Sequence, residues 1–301
     1  MNDWYLSNVT IIQSCLIAAM LAMSMQVTMR VGVLSVAGIG FYGLGQYSTA
    51  LLVLHGILPW GLAIAVTALA CGVLAYALAR VLSRVRGLYL TMVTLGLVLV
   101  LTVVASNGGE FTGGATGLYG IPVTVATWHM LVVIAVGIVI CAVTERGFVG
   151  RASEALRSDE MLAASVGIEA RTVRRANFGL SGMLGAVAGG LNVLTFGTVN
   201  PFDAGFPLMV TILTAVIVGG QRTWLGAVIG AFLITSLPTL LSSFSGDTRE
   251  MAFGALVVVL ATYAPDGLLG FASAALRRLR SSLRPPPTMA EPERRRELAD
   301  V

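Results

Sequence analysis

Continuous apolar runs of about 20 residues recur along this chain, and they restrict its fold more than any other feature does. A chain crossing the core of a bilayer must satisfy its backbone hydrogen bonds internally, which leaves helices and closed barrels. Barrel strands would show as alternating segments of about 10 residues. The runs here do not alternate, so the expected fold class is all-α: a polytopic transmembrane helical bundle of about nine spans, eight to ten being compatible. Composition agrees, with 11% of the 301 residues charged against about a quarter in soluble domains.

The predicted spans are 9–29, 32–54, 58–79, 88–106, 129–145, 176–196, 208–219, 224–243 and 250–271. The run 208–219 is short for a crossing, which leaves the number of spans open. Trp4 and Tyr5 suit the interface between lipid and water, Pro59 and Trp60 open the third span, and Trp128 stands at the edge of the fifth. The opening MNDWYLSN has no positive n-region and is not expected to be a cleavable signal. Gly32, Gly38, Gly40, Gly43 and Gly45 crowd the second span beside Tyr42, Gln46, Tyr47, Ser48 and Thr49. Two readings stay open for it: close helix packing on small residues, or a broken helix lining a cavity. Tyr42, Gln46, Thr94 and Asn107 are polar groups within or ending apolar spans, and they are the candidate lining of a substrate pathway. Cys15, Cys71 and Cys141 stand apart inside apolar runs and read as buried small hydrophobes. His55 and His129 read as interfacial, and no cluster suggests a metal.

One long charged interval, Gly150 to Ala176, interrupts the apolar pattern. With Arg146 it holds six of the nineteen arginines, and from Glu145 onward it holds five acids. That balance of sign does not suit a nucleic-acid or other polyanion surface; it suits a protein groove. Arginines concentrate in 80–86, 146–175, at 222 and after 277, all on one side of a nine-span bundle together with Arg30. The positive-inside rule then predicts an outside N-terminus and a cytoplasmic C-terminus, Arg249 alone opposing. Residues 1–276 are expected to form the membrane domain, with 146–175 as a cytoplasmic loop, and 277–301 a basic, proline-rich, disordered tail.

The sequence contains no lysine. A Walker A loop holds its phosphates with a lysine, and a Schiff-base enzyme needs one as nucleophile. Any ATP chemistry must therefore come from a partner. HExxH, a GxSxG within a span and paired intramembrane aspartates are all absent, so an enzyme is not expected, nor a cofactor. A stand-alone ion-coupled carrier would be expected to place acids or histidines within its spans. Here Glu110, Asp203 and Asp266 fall in loops or at helix ends, which weakens proton coupling and leaves sodium coupling through backbone carbonyls open.

Local physics makes the charged interval a folded element. Ser158 can cap a helix whose first turn carries Asp159 and Glu160 at the positive end of the dipole. Gly167 stands where a left-handed glycine would end it. Residues 150–157 can form a preceding helical turn with Arg151–Glu154 and Glu154–Arg157 at i, i+3.

Glu160, Ala163, Ala164 and Gly167, followed by a return to a membrane helix, resemble the "EAA" loop of ABC importer permeases. More closely, the chain resembles the LivM-type permease of branched-chain amino acid ABC importers over roughly residues 30–270. The stretches GLYLTMVTLG from Gly87, TGGATGL from Thr112 to Leu118 and VGGQRTWLGAVIGA from Val218 to Ala231 carry that likeness. Gly43-Leu44-Gly45-Gln46 stands where a Ser-Leu-Gly-His run is expected, and the first helix and the tail carry no such motif. The resemblance implies a coupling helix seated in an ATPase groove, formed here by Arg151, Glu154, Leu156, Arg157, Asp159, Glu160, Ala163, Ala164 and Gly167. It implies a second homologous permease subunit, two cytoplasmic ATPases, an extracytoplasmic substrate-binding protein and surrounding lipid. The implied substrate is a branched-chain amino acid, and in related permeases urea or a short amide.

Overall fold

The computed structural model describes residues 2–240 apart from 83, 84, 86 and 124, together with positions 254, 267 and 270. The predicted ninth span, Arg249, Asp266 and the tail lie outside the described residues, apart from those isolated positions. The helices are α1 (Asn2–Met29), α2 (Ala37–Leu54), α3 (Trp60–Leu82), α4 (Leu88–Asn107), α5 (Thr127–Arg146), α6 (Phe148–Ser158), α7 (Glu160–Ser165), α8 (Ala170–Phe196), α9 (Phe206–Gly219) and α10 (Trp224–Leu240). Five of them are long and apolar enough to cross a membrane: α1 from Val9, α3, α4, α5 and α8. Helices α9 and α10 are shorter apolar elements. The 14 residues of α9 extend about 21 Å.

Helix α8 is the centre, with α1, α2 and α3 packed against it. It accepts them closely because its inner faces carry glycine. A Cβ at Gly185 would collide with the Gly38 carbonyl, one at Gly189 with the Tyr42 carbonyl, and one at Gly182 with the Ala75 Cβ. Gly45 of α2 meets the Ala186 backbone in the same way. Ser24 Oγ of α1 donates to the Ser181 carbonyl of α8 at 2.8 Å. Close packing is therefore what Gly38 and Gly45 serve, and α2 is unbroken from Ala37 to Leu54. Helices α4 and α5 lie at the periphery and expose Val100, Val103, Val136 and Val139, as lipid-facing helices do.

Several helix boundaries differ from the sequence reading, and local structure explains two of them. Helix α2 begins at Ala37, not at 32, because the segment before it is held non-helical. Gly32 takes φ +75°, the Leu34 carbonyl accepts the Thr91 hydroxyl at 2.8 Å, and the Val36 N–H donates to Thr94 Oγ1 at 3.3 Å. Helix α8 begins at Ala170, not at 176, since its first turns are polar.

The loops sort into two ends. At one, α1 ends beside Glu145 and Gln221, and Arg157 reaches Gln221. At the other, Gln13 bonds Thr127, the His129 ring lies against Trp60 and Trp128, and β1 (Leu118–Tyr119) pairs antiparallel with β2 (Thr198–Val199). The arginine-rich and arginine-poor loops thus occupy opposite ends of the bundle. The three cysteines are free and buried.

Candidate functional site

The arginine-rich end carries a platform made by α6 and α7. Gly147 ends α5 and begins α6, so the chain turns on one residue. The turn is tight because Gly150 has no side chain; a Cβ there would collide with the Glu145 carbonyl. Helix α6 runs through Ser158, so the expected serine cap does not form: Ser158 Oγ donates backward to the Glu154 carbonyl at 3.0 Å. Asp159 is the N-cap of α7, its Oδ1 accepting from Met161 N at 2.8 Å and Leu162 N at 3.1 Å. Gly167, at φ +81°, ends α7 as expected. Gly167 N bonds Ala164 O and Ile168 N bonds Ala163 O, both at 3.0 Å, the two bonds of a Schellman close.

The platform is pinned from beneath and apolar on top. Ala152, Leu156 and Ala163 are buried in a small core with Val31 of the α1–α2 link and Val173 of α8. Leu156 and Ala163 therefore anchor the platform and do not face outward. Glu160 braces it sideways, its carboxylate taking both Arg174 terminal nitrogens at 3.1 and 3.3 Å. Arg151, Glu154, Arg157, Asp159, Ala164 and Gly167 are exposed. So are Met161 (84%), Leu162 (67%) and Val166 (69%). Three bared apolar side chains within a charge-dense stretch are more than the scattered hydrophobes of an ordinary wet surface. The usable signal was Ala163: once that small residue faces inward on so short a helix, its larger neighbours face out.

Behind the platform lies a buried polar chain that the sequence did not reveal. Ser153 of α6 accepts from Asn177 Nδ2 of α8 at 3.3 Å. Asn177 Oδ1 accepts from Arg30 Nη2 at 3.2 Å. Arg30 Nη1 lies 3.7 Å from Glu145 Oε1 of α5. The same oxygen accepts from Gln26 Nε2 at 3.2 Å and from the Trp224 backbone N–H at the start of α10 at 2.7 Å. Side-chain exposure is 7% for Arg30 and 16% for Glu145. One connected set of bonds thus ties α6 to α1, α5, α8 and α10. Gln26 and Arg30, four residues apart on one helical face, were the available hint.

The four candidate pathway residues lie along α2 and α4. Tyr42 and Gln46 are buried, and Gln46 Nε2 donates to Asn192 Oδ1 of α8 at 2.9 Å. The Thr94 hydroxyl is engaged with Val36 N and the Thr91 carbonyl. Asn107 is exposed at the arginine-poor end of α4 and bonds the Val103 carbonyl at 2.8 Å.

Residues 7–261 match the family described as branched-chain amino acid transport system / permease component. The chain belongs to this family. It is 26% identical over 264 residues to the high-affinity branched-chain amino acid transport system permease protein LivM of Escherichia coli, covering 76% of this chain and 62% of that protein. It is 26% identical over 297 residues to LivM of Salmonella typhimurium, covering 87% and 70%. It is 28% identical over 167 residues to the permease protein BraD of Pseudomonas aeruginosa, covering 54% and 53%. The chain thus spans less than two thirds of the Escherichia coli relative's length. No solved structure matches it. Family and apolar helices together make it a multi-pass membrane protein.

Proposed function

We propose that this chain is a translocation subunit of an ATP-driven importer of branched-chain amino acids in a bacterial plasma (inner) membrane. It works with a second homologous permease subunit, two cytoplasmic ATPase subunits and an extracytoplasmic substrate-binding protein. The arginine-rich end faces the cytoplasm, the N-terminus lies outside and the basic tail 277–301 follows the membrane domain inside. The chain itself hydrolyses nothing.

The observation that carries this reading is the α6–α7 platform: apolar knobs outward, anchors inward. Met161, Leu162 and Val166 seat in the ATPase groove, rimmed by Arg151, Glu154, Arg157 and Asp159. When the ATPase pair closes on ATP, the platform moves as a unit because Leu156, Ala163 and the Glu160–Arg174 pair hold it together. Ser153, Asn177, Arg30 and Glu145 pass that displacement to α8, α1, α5 and α10. The ATPases must grip the platform differently in their two states, since equal affinity for both would shift nothing. Substrate moves along the α2–α4 face that carries Tyr42, Gln46, Thr94 and Asn107.

The test is the paired substitution Met161→Glu with Leu162→Glu. Burying each side chain in a groove contributes about 1.5–3 kcal/mol, so the pair lowers ATPase affinity by two orders of magnitude or more. Membrane insertion and thermal stability stay at the parent level because neither side chain is buried in the chain itself. ATPase co-purification at the parent level would refute the docking assignment.

A further inference from the structure

At the arginine-poor end a cavity of about 120 Å³ opens between α2, α4 and the loop before α9. Gly40 and Gly43 line it without side chains. Adding a Cβ would bring one to 3.2 Å from Leu101 Cδ1 at Gly40 and to 3.0 Å from Ala204 Cβ at Gly43. Val98, Leu101 and Ala204 make its apolar walls. Gln46 and Tyr47 also line it, and each carries a buried oxygen with no partner among the described residues, Gln46 Oε1 and Tyr47 Oη. Gln46 is 0% exposed. Its Nε2 donates to Asn192 Oδ1, which leaves the oxygen as the free atom, an acceptor. Pro201 and Ala204, which flank Asp203 in the loop, line the cavity, and the Asp203 carboxylate accepts the Asn200 N–H at 3.3 Å. A negative charge therefore stands beside the same wall.

Buried acceptors without partners are uncommon in native proteins and call for a reason. They belong to residues that line an apolar space, so the complementary solute is an amphiphile with a hydrogen-bonding group at one end. Size narrows it further. An apolar cavity of about 150 Å³ takes a benzene ring; the space here is somewhat smaller. It suits a branched side chain of three or four carbons and excludes an indole. Urea, polar over its whole surface, leaves its apolar walls unmatched.

We infer that this cavity is a selectivity site that takes the side chain of a small aliphatic amino acid, with Gln46 Oε1 and Tyr47 Oη receiving the ammonium group. The inference rests on the import reading and adds where on this chain the substrate is chosen. The substitution Tyr47→Phe is a clean probe, because the hydroxyl it removes bonds nothing among the described residues. As a packing residue Tyr47 would tolerate it; as a substrate contact it would not. Ala105→Leu on α4, which also lines the cavity, fills the space while leaving the polar atoms in place.

The experiment uses proteoliposomes holding the complete complex, with labelled leucine and alanine supplied through the binding protein. Tyr47→Phe raises the half-saturating concentration of leucine about three- to tenfold, as loss of one hydrogen bond does, with maximal ATP-driven uptake kept. Ala105→Leu lowers leucine uptake relative to alanine by about tenfold or more. Unchanged half-saturation in Tyr47→Phe, or equal loss of both substrates in Ala105→Leu, overturns the selectivity site and leaves the import reading standing. Tyr47→Phe decides the matter by itself if Ala105→Leu fails to insert. A parent complex that takes up urea and neither amino acid overturns both readings.

Discussion

Replacing Glu145 by alanine is expected to loosen the link between platform and bundle. Its Oε1 accepts Trp224 N at 2.7 Å and Gln26 Nε2 at 3.2 Å, and lies 3.7 Å from Arg30 Nη1. Glu145→Ala therefore strands a guanidinium whose side chain is only 7% exposed, along with the first N–H of α10. Breaking a buried pair from one side costs about 3–5 kcal/mol. Arg30 keeps its bond to Asn177, which puts the expected loss near the lower figure, about 3 kcal/mol. At roughly 2–4 °C per kcal/mol, the apparent unfolding midpoint in detergent falls by about 6–12 °C. Glu145→Gln keeps an acceptor for Trp224 and Gln26 and loses about 1–2 kcal/mol. The double variant Arg30→Met with Glu145→Met removes both charges, and buried pairs replaced by apolar residues of similar size lose little. It therefore recovers most of the midpoint while severing the path from Asn177 to α5 and α10, and ATP hydrolysis by the reconstituted complex no longer responds to substrate. The measurements are thermal midpoints at fixed scan rate and substrate-stimulated ATPase activity. Single-variant losses that add within about 0.5 kcal/mol, with substrate stimulation intact in the double variant, would refute the reasoning.

Other consequences concern the platform and the core. Asp159→Ala removes two bonds to the first turn of α7 and costs about 1 kcal/mol of local stability; amide exchange at Met161 and Leu162 rises accordingly. Ser158→Ala stays within about 0.5 kcal/mol of the parent, and the reverse ranking would place the cap back on the serine. Gly189→Leu drives a side chain into the Tyr42 carbonyl, so α2 and α8 must separate, and the yield of folded protein extracted from membranes collapses; a normal yield would contradict the backbone-on-backbone packing.

Much of this structure is legible in the sequence, for physical reasons that differ by element. The apolar runs locate the helices because lipid rewards unbroken hydropathy, and the arginine counts sort the loops into two ends. Hydropathy stops where helices continue into water, so the polar first turns of α8 with Arg171, Arg174 and Arg175 went unseen. Ser158 and Asp159 are both good caps; the choice turns on how far α6 extends, which tertiary packing of Leu156 decides. The Arg30–Glu145 pair is not legible in the sequence, because a charge at a span end can point outward to water or inward to a partner from the same residues. The glycines of α2 carried two meanings at once. Gly38 meets Ser24 of α1 and Ser181 of α8, and Gly45 meets α8, while Gly40 and Gly43 face the cavity beside α4.

The most direct measurement is labelled leucine uptake into proteoliposomes holding this chain with its partner permease, with and without the ATPase subunits and ATP. Uptake that appears only when ATPases, ATP and loaded binding protein are all present is the expected result. Uptake by the membrane subunits alone, driven by a sodium or proton gradient, would contradict the account.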